Sequence, residues 1–383
     1  MKPFLNPSRW RSGPRFAVAI VAVSVTVGAV RGVVTPAEAS TGVASPCLPY
    51  QVPGLPGAGR GEIMTMNDAG MYVGFVRDVS GAGHASWWTH AGPDLSTGWT
   101  VHVPDIPATQ AEFLDVNPGG VMSGFSYDAS KGFVYDSNTG EFTWLPDFAS
   151  GYNSYARRIN ASGVVTGNAV DAAGSFFAAT WSPPYAKAER VHAPGEDRNI
   201  TYSDGSHHKF GSETNGINDQ GTVAGATVNG GQTQLIQAFT KTAGGEVTRL
   251  AAGYDQAIAF AINNAGLVVG ASTRDANGGF LPAYWRDGVE HDMGAPADAA
   301  GGTAYSVSQG GWATGGIRLP GTRRSFVWTG AGVMQLNEPL PGHVGSWSHG
   351  IDDTLHQVAG TSIRSDGSNT PTVWQCPAGF TTG

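Results

Sequence analysis

Apolar and polar residues alternate along this chain in short runs, and the runs return in the same order. One unit covers residues 257–293, where four runs are rich in Val, Ile, Ala, Phe, Tyr and Trp. Gly, Asn and Asp residues separate the runs, as they do between strands. The pattern predicts four short strands over 257–262, 267–272, 282–286 and 289–293.

The turn between the first and second strands identifies the other units, because its Asn-x-x-Gly pattern recurs. The Asn side chain can bond the backbone two residues on, and the Gly three positions later supplies a positive φ. The last two copies are weaker, since Ser or Asp replaces the Asn. Seven anchors result, at Asn67, Asn117, Asn160, Asn218, Asn263, Ser308 and Asp352.

The spacing of these anchors predicts the fold. Successive anchors are 50, 43, 58, 45, 45 and 44 residues apart. Four short strands in a unit of about 40–50 residues are typical of a propeller blade. We therefore predict an all-β protein, a seven-bladed β-propeller formed by residues 40–383 as a single domain.

The two ends of the chain predict how the ring closes. The last unit stops after its third strand at 372–376, whereas 47–56 resembles a fourth strand without a unit of its own. We expect this N-terminal strand to complete the last blade, which removes the exposed edges of an open array. Cys47 and Cys376 then lie on adjacent strands, and we predict a disulfide between them.

Two further positions recur inside the strands. A second Gly lies four residues after the turn Gly, and it predicts a close approach of neighbouring sheets. Nearly every third strand carries large aromatic residues. We interpret them as core between adjacent blades, with a sugar-stacking platform as the alternative.

Residues 1–39 have the pattern of a secretory signal peptide. Arginines precede an uncharged run at 16–30, and Ala37-Glu38-Ala39 is a small-x-small cleavage site, with Ala29 as a second candidate. The alternative is a membrane anchor, but this run is short for a span of about 20 residues. We expect a secreted or cell-envelope-associated protein with no membrane span after cleavage.

The charge of the mature chain bears on its partners. Cleavage at Ala39 removes five basic residues and one acidic residue, which leaves 17 basic and 29 acidic residues and a net charge of −12. Binding to a phosphate backbone needs clustered cations, so we expect no nucleic-acid partner. We also expect a monomer.

The units resemble the bacterial extracellular HAF repeats, whose pattern is an Ile-Asn turn, Gly-Val-Val-Gly and an Ala-Phe-Trp strand. Gln237-Ala238-Phe239 and the segment from His84 to Trp88 carry the last element, and the resemblance covers residues 60–375. The resemblance implies repeat type and secretion. It transfers no catalytic residue, because fold and repeat type do not imply an activity.

Familiar catalytic motifs are absent from the sequence, including Gly-x-Ser-x-Gly, His-Glu-x-x-His, the phosphate loop and Cys-x-x-Cys. We predict no cofactor and no catalytic residue, and the sequence leaves a metal open. The best candidate is a speculative binding loop in the insertion at 186–212, with His192, Asp204, His207 and His208. Histidines beside carboxylates can bind a metal or transfer protons. The alternative is a solvated surface loop.

A second insertion at 92–110 carries a similar but weaker combination of His and Asp residues. Its candidates are His90, Asp94, His102 and Asp105. Ordinary turn chemistry is the alternative.

Three functions remain open. The leading hypothesis is a non-catalytic binding or interaction scaffold for a glycan or a protein partner at the cell surface. The alternative is an extracellular polysaccharide hydrolase or lyase, with a site at the mouth of the propeller channel. The third is a purely structural envelope protein.

Overall fold

The computed structural model shows the sheets that the repeats predict. It describes residues 47–149, 153–194, 200–201, 207–208, 211–230, 234–245, 247–250, 256–273, 279–330, 332 and 334–380. Within these residues, the chain forms seven four-stranded antiparallel sheets and one short hairpin. The predicted signal peptide at 1–39 lies outside them.

Six sheets are consecutive meanders, which we number as blades 1–6. Blades 1 and 2 contain β2 (Arg60–Met66), β3 (Tyr72–Arg77), β4 (Gly83–His90), β5 (Trp99–His102), β6 (Ala111–Val116), β7 (Val121–Ser126), β8 (Lys131–Asp136) and β9 (Phe142–Trp144). Blades 3 and 4 contain β10 (Ser154–Ile159), β11 (Val165–Val170), β12 (Phe176–Trp181), β13 (Glu189–Arg190), β16 (Ser212–Ile217), β17 (Val223–Gly230), β18 (Gln234–Lys241) and β19 (Val247–Arg249). Blades 5 and 6 contain β20 (Ala257–Ile262), β21 (Val268–Thr273), β22 (Phe280–Arg286), β23 (Val289–Asp292), β24 (Gly301–Val307), β25 (Ala313–Leu319), β26 (Thr322–Trp328) and β27 (Gln335–Asn337).

Blade 7 joins the two ends of the described chain. It contains β28 (Gly345–Asp352), β29 (Gln357–Ile363), β30 (Asn369–Gln375) and β1 (Leu48–Gln51). β1 pairs with β30, with Leu48 opposite Gln375 and Gln51 opposite Thr372. The Cys47–Cys376 disulfide lies directly beside this pairing. The predicted closure and the predicted disulfide are both confirmed.

The first strand of each blade is the innermost strand. First strands of successive blades contact one another, and β28 contacts β2, so they surround a central channel. The structure is therefore a seven-bladed β-propeller. Because strands alternate in direction, the Asn turns lie at one end of the channel. The connections between blades enter the first strands at the other end, which we call the channel mouth.

Third-strand aromatic residues fill the space between blades, as predicted. Their side chains are fully buried in blades 1–7, and the largest are Trp88, Phe133, Trp181, Phe239, Trp285, Trp328 and Trp374. Several indole N–H groups donate to a backbone carbonyl of the chain that enters the blade, as Trp181 does to Pro146 at 2.7 Å. These tryptophans thus pack the core and also satisfy their one polar atom.

The recurring Gly inside the second strand has a different cause from the one predicted. A Cβ at Gly167 would overlap the carbonyl oxygen of Tyr155, its neighbour in the same blade. The register of the first strand shifts just beyond this point, between Ala156 and Arg158. The close approach is therefore a β-bulge within one blade, not a contact between neighbouring sheets. The same overlap recurs at Gly74, Gly124, Gly225, Gly270, Gly315 and Gly360.

The anchor asparagines make two kinds of hydrogen bond. Within its own turn, Asn160 Oδ1 accepts the N–H of Val164 at 2.9 Å. Towards the next blade, Asn160 Nδ2 donates to the carbonyl of Asn218 at 3.0 Å. The same hydrogen bond to the next blade is donated by Asn67, Asn117, Asn218 and Asn263. The turn thus closes the hairpin, as predicted, and its Asn side chain also links consecutive blades. We call this series of inter-blade hydrogen bonds the asparagine ladder.

Two substitutions of one ladder residue should distinguish the contributions of its two hydrogen bonds to stability. We expect Asn160→Ala to lower the free energy of unfolding by about 2 kcal/mol, because it removes the acceptor of the part-buried Val164 amide and one of two donors to the Asn218 carbonyl, which keeps the Gly221 amide. Asn160→Ser should cost about 1 kcal/mol less, since Ser308 accepts the Trp312 amide in the equivalent turn. Urea unfolding measures both, with exposed Asn138→Ala as the control. Equal losses for Ser and Ala would contradict the division into two bonds.

The disulfide should stabilise the ring by restricting the unfolded chain. It joins residues 329 positions apart. For so long a loop, we expect the Cys47→Ser, Cys376→Ser double variant to lose about 2–5 kcal/mol of unfolding free energy. Denaturant titration of oxidised wild type and the double variant gives the difference. Two alkylatable thiols in the native protein would show that the bond is absent.

Candidate functional site

The bulges place one side chain from each first strand at the channel. Each bulged residue lies three positions before its anchor. The seven are Met64, Leu114, Arg157, Asn215, Phe260, Tyr305 and His349. Bulges re-aim side chains and are frequent beside functional sites. The residues five positions before the anchors complete this layer of the mouth and are Glu62, Glu112, Tyr155, Glu213, Ile258, Thr303 and Trp347.

Blades 1 and 2 contribute two carboxyl groups to the mouth. Glu112 is 8% exposed. The Tyr127 hydroxyl donates to Glu112 Oε1 at 2.8 Å. Glu62, at the equivalent position of blade 1, accepts a hydrogen bond from Asn369 Nδ2 of blade 7. The two acids thus accept hydrogen bonds from neighbours in two blades, Glu112 from Tyr127 of blade 2 and Glu62 from Asn369 of blade 7.

Burial controls the ionisation of these two acids. It raises the pKa of Glu112 to about 7; the hydrogen bond from Tyr127 opposes the rise and the nearby charge of Glu62 adds to it. Burial likewise raises the pKa of Glu62 above its ordinary value, against the hydrogen bond from Asn369. Glu112 therefore keeps its proton to a higher pH than an ordinary carboxyl group, and the pKa of Glu62 shifts in the same direction.

Blades 3 and 4 meet through an ion pair at the mouth. Arg157 Nη2 lies 3.3 Å from Glu213 Oε2. The guanidinium also lies 5.0 Å from the centre of the Tyr155 ring. That ring packs on Phe125 of blade 2, with centroids 4.5 Å apart. Burial raises the pKa of Tyr155 to about 12, so its hydroxyl stays protonated.

Arg158 crosses the channel below this layer. Its Nη1 lies 3.4 Å from Asp115 Oδ1 of blade 2. Its Nη2 donates to the carbonyl of Tyr305 in blade 6 at 3.1 Å. Burial, together with the charge of Arg158, lowers the pKa of His349 in blade 7 to about 3. This arginine therefore forms part of the floor of the mouth and keeps the nearby imidazole neutral.

Blades 5–7 line the mouth with aromatic rings. Tyr305 packs on Phe260 and on His349, with centroids 5.2 and 4.8 Å apart. Trp347 lies 5.4 Å from the Tyr305 ring. All four rings are half-buried and keep part of their surface open to solvent. The Arg323 guanidinium lies 5.8 Å from the Trp347 ring, so a cation borders this aromatic wall.

The predicted binding loop is only partly described. His192 is exposed just after β13. His207 and His208 form β15 (His207–His208), which pairs with β14 (Ile200–Thr201) in a hairpin. Asp204 lies outside the described residues. The insertion joins the outer strand of blade 3 to the inner strand of blade 4, so it departs at the mouth end, but these four residues are not shown to converge.

The second insertion has a structural explanation. His90 Nε2 bonds the carbonyls of Asp94 and Thr97 at 2.9 and 2.7 Å, which closes the loop. The His102 ring stacks on Trp87, with centroids 4.9 Å apart. Asp94 Oδ1 accepts the amide of Ser96 at 2.9 Å. These residues hold the loop and outer strand of blade 1, and Asp105 joins no such cluster.

The mouth residues lie three and five positions before the anchors, and this fixed offset is the signal by which the sequence could have predicted them. Seven copies of one unit can be aligned on the Asn turn, and the positions three and five residues before it then stand out. They carry Glu, Arg, Tyr, His and Trp where the neighbouring core positions repeat small or apolar residues. The insertions stand out in the sequence because they are long, whereas the mouth is built from the regular strands of the repeat.

Among the described residues, no group of three or more His, Cys, Asp or Glu side chains is placed to hold a metal ion. In the same part of the chain, no helix is long and apolar enough to cross a membrane.

No family model matches this chain, and no curated protein matches it. The likeness to HAF repeats therefore stays a prediction. Solved structures of similar fold exist. The β-propeller domain of the Trilobed protease from Pyrococcus furiosus has 10% identity and a TM-score of 0.51, over 83% of this chain and 94% of that domain.

Two peptidases show the same likeness. The acylaminoacyl peptidase of Pyrococcus horikoshii has 11% identity and a TM-score of 0.51, over 83% of this chain and 52% of its own. The puromycin-hydrolyzing peptidase of Mycobacterium tuberculosis has 12% identity and a TM-score of 0.52, over 88% and 56%. This chain thus spans about half the length of these peptidases. At such identities the likeness shows the β-propeller fold alone.

Glu112 should make stability depend on pH. Its pKa in the folded protein is raised to about 7 from 4.5. The protonated form is therefore favoured by folding, and this stabilisation is complete below pH 4.5 and lost as pH rises through 7. We expect Glu112→Gln to change unfolding free energy little at low pH and to raise it by roughly 2–3 kcal/mol above the folded pKa. Urea unfolding across this range measures the change, with exposed Glu141→Gln as the control. A gain independent of pH would contradict the assignment.

Proposed function

We propose that the channel mouth of this exported propeller binds a glycan, with a preference for an acidic polysaccharide. The observation that carries the proposal is the convergence of half-buried aromatic rings and paired ionisable groups from different blades at one end of the channel. Concave sites with apolar walls and a few fixed polar groups are the usual form of ligand sites.

The Trp347 ring supports binding to a sugar face. It lies against Gly316 of blade 6, where any Cβ would overlap the indole. One face of the ring is therefore held by the backbone, and the ring sits beside Tyr305 and His349. A ring fixed before binding loses little conformational freedom when a ligand stacks on it. The apolar C–H face of a pyranose suits such a surface, and its hydroxyl groups suit the carboxyl and amide groups opposite.

Charge on blade 6 favours an acidic ligand. Arg318 and Arg323 are directly opposite each other on β25 and β26. Like charges in this arrangement repel each other, and an anion beside them relieves the repulsion. Burial lowers the pKa of Arg323, and the charge of Arg318 acts in the same direction. The carboxylate or sulfate of an acidic sugar would meet this pair when its ring lies on Trp347.

The location of the protein is part of this proposal. A disulfide joins Cys47 and Cys376, and such bonds persist in oxidising compartments. Together with the signal-peptide pattern at 1–39, the disulfide supports export to the cell surface or the medium. Polysaccharides of the envelope and surroundings are then the accessible ligands.

A hydrolase or lyase acting on polysaccharide is the second candidate. The specific observation in its favour is the hydrogen bond from the hydroxyl of the partly exposed residue Tyr127 to the buried Glu112 carboxyl. Binding is common to both candidates, so the first experiment concerns binding.

Titration of the mature protein with neutral and acidic polysaccharides tests the proposal. We expect an acidic polysaccharide to bind, and we expect Trp347→Ala to weaken that binding at least about tenfold, which corresponds to 1.4 kcal/mol. Trp312→Ala is the matched control, because Trp312 is also half-buried but lies next to an Asn turn at the opposite end. It should leave affinity unchanged.

Arg323→Gln should weaken binding of acidic polysaccharides selectively and reduce its salt dependence. Calorimetry and ligand-induced shifts in melting temperature give the affinities. Binding of peptides instead of polysaccharides would contradict the proposal. Absence of any ligand-dependent shift would point to a purely structural protein.

A further inference from the structure

Tyr127 and Glu112 form a hydrogen-bonded pair in which the tyrosine residue is partly exposed and the glutamate is buried. Tyr127 is 37% exposed at the mouth, just beyond β7, whereas Glu112 is 8% exposed on β6. The hydroxyl donates to Glu112 Oε1 at 2.8 Å. A nucleophile that faces the ligand, with a base behind it within hydrogen-bond reach, is the arrangement that nucleophilic catalysis requires.

The ring of Tyr127 is held in place by its neighbours. It packs edge-on against Phe125, with centroids 5.2 Å apart, and Phe125 packs on Tyr155 of blade 3. The Tyr127 backbone amide bonds the Gln110 carbonyl at 2.8 Å. Tyr127 is thus positioned by Phe125 and by the Gln110 backbone, and not by the hydrogen bond to Glu112 alone.

We propose that the channel mouth hydrolyses glycosidic bonds of the polysaccharide it binds, with Tyr127 as the nucleophile and Glu112 as its base. This inference rests on the proposed glycan binding. In the first step Tyr127 Oη bonds to the anomeric carbon while its proton passes to Glu112. The bond from that carbon to the leaving oxygen breaks, and this oxygen takes a proton from an acid.

Glu62 is the group placed to supply that proton. It occupies the position in blade 1 that Glu112 occupies in blade 2, and burial keeps its pKa above the ordinary value. In the second step a water molecule gives one proton to Glu62 and attacks the anomeric carbon. The bond to Tyr127 breaks, and the tyrosine recovers its proton from Glu112. No oxidant, reductant or metal enters the balance.

The pH dependence of such a reaction follows from the neighbours of the pair. The groups that face Glu112 and Tyr127 are Glu62, Arg77 and Tyr155. Glu112 must be ionised to accept the proton, so activity should rise through its pKa, raised to about 7 by burial.

The experiment uses the mature protein with the acidic polysaccharide that binds best, and with a panel of fluorogenic glycosides of uronic and neutral sugars. We expect new reducing ends to appear. Tyr127→Phe and Glu112→Gln should each lower kcat at least about 100-fold while the affinity for the polysaccharide changes little. The matched control is Tyr185→Phe, because Tyr185 also donates a hydroxyl hydrogen bond, to the Gly163 carbonyl at 2.9 Å, at the opposite end. It should keep full activity.

A 2-deoxy-2-fluoro glycosyl fluoride of the sugar that is turned over should trap the covalent intermediate. Peptide mapping by mass spectrometry should find the label on Tyr127. A label on Glu112 or Glu62 would overturn the role of the tyrosine, and an unsaturated product would show elimination instead of hydrolysis. Binding without turnover would overturn the inference and leave the proposed function intact. Absence of both binding and turnover would overturn the inference and the proposed function.

Discussion

The ladder of asparagine amides is the constraint on which this ring depends. Each of the five asparagine anchors accepts a backbone amide within its own turn and donates to the backbone of the next blade, so one side chain fixes both the hairpin and the spacing between blades. In an isolated blade the Asn side-chain N–H would lack its backbone partner, whereas in the ring the bond satisfies this group in a buried position. The bond is therefore made only when consecutive blades are present, and it couples local folding to assembly of the ring.

The bulge in every first strand joins this scaffold to the site. An extra residue shifts the register, presses a carbonyl against the recurring Gly and turns one side chain towards the channel. The scaffold thus requires glycine at one point, whereas the residue type at the bulged position differs between blades. Glu112, two positions before the bulged Leu114, shows the cost of a charged residue in this layer, since a buried acid reduces stability when it ionises. Positions of this kind are the ones at which a repeat protein can vary its chemistry without losing its fold.

Periodicity predicted the fold because one physical device recurs in each unit. Strand order, blade number, ring closure and the Cys47–Cys376 bond all followed from the spacing of the Asn turns. The site escaped that reasoning, since Glu112, Arg157 and Tyr305 lie in different units and meet only when the ring is closed. The reason for the second Gly also escaped, because a bulge depends on pairing register, which residue types alone leave open.

The ladder weakens where the ring closes, and this has a mechanical consequence. Ser308 and Asp352 replace asparagine in the last two turns, and the seam between blades 7 and 1 relies instead on the Tyr72–Gln357 hydrogen bond, on β1 and on the disulfide. Five junctions of the described ring share one repeated bond, whereas the seam has its own set. Under tension or in a reducing medium, we expect the ring to open at the seam between blades 7 and 1. The blades that share the repeated bond would then stay joined in an open array.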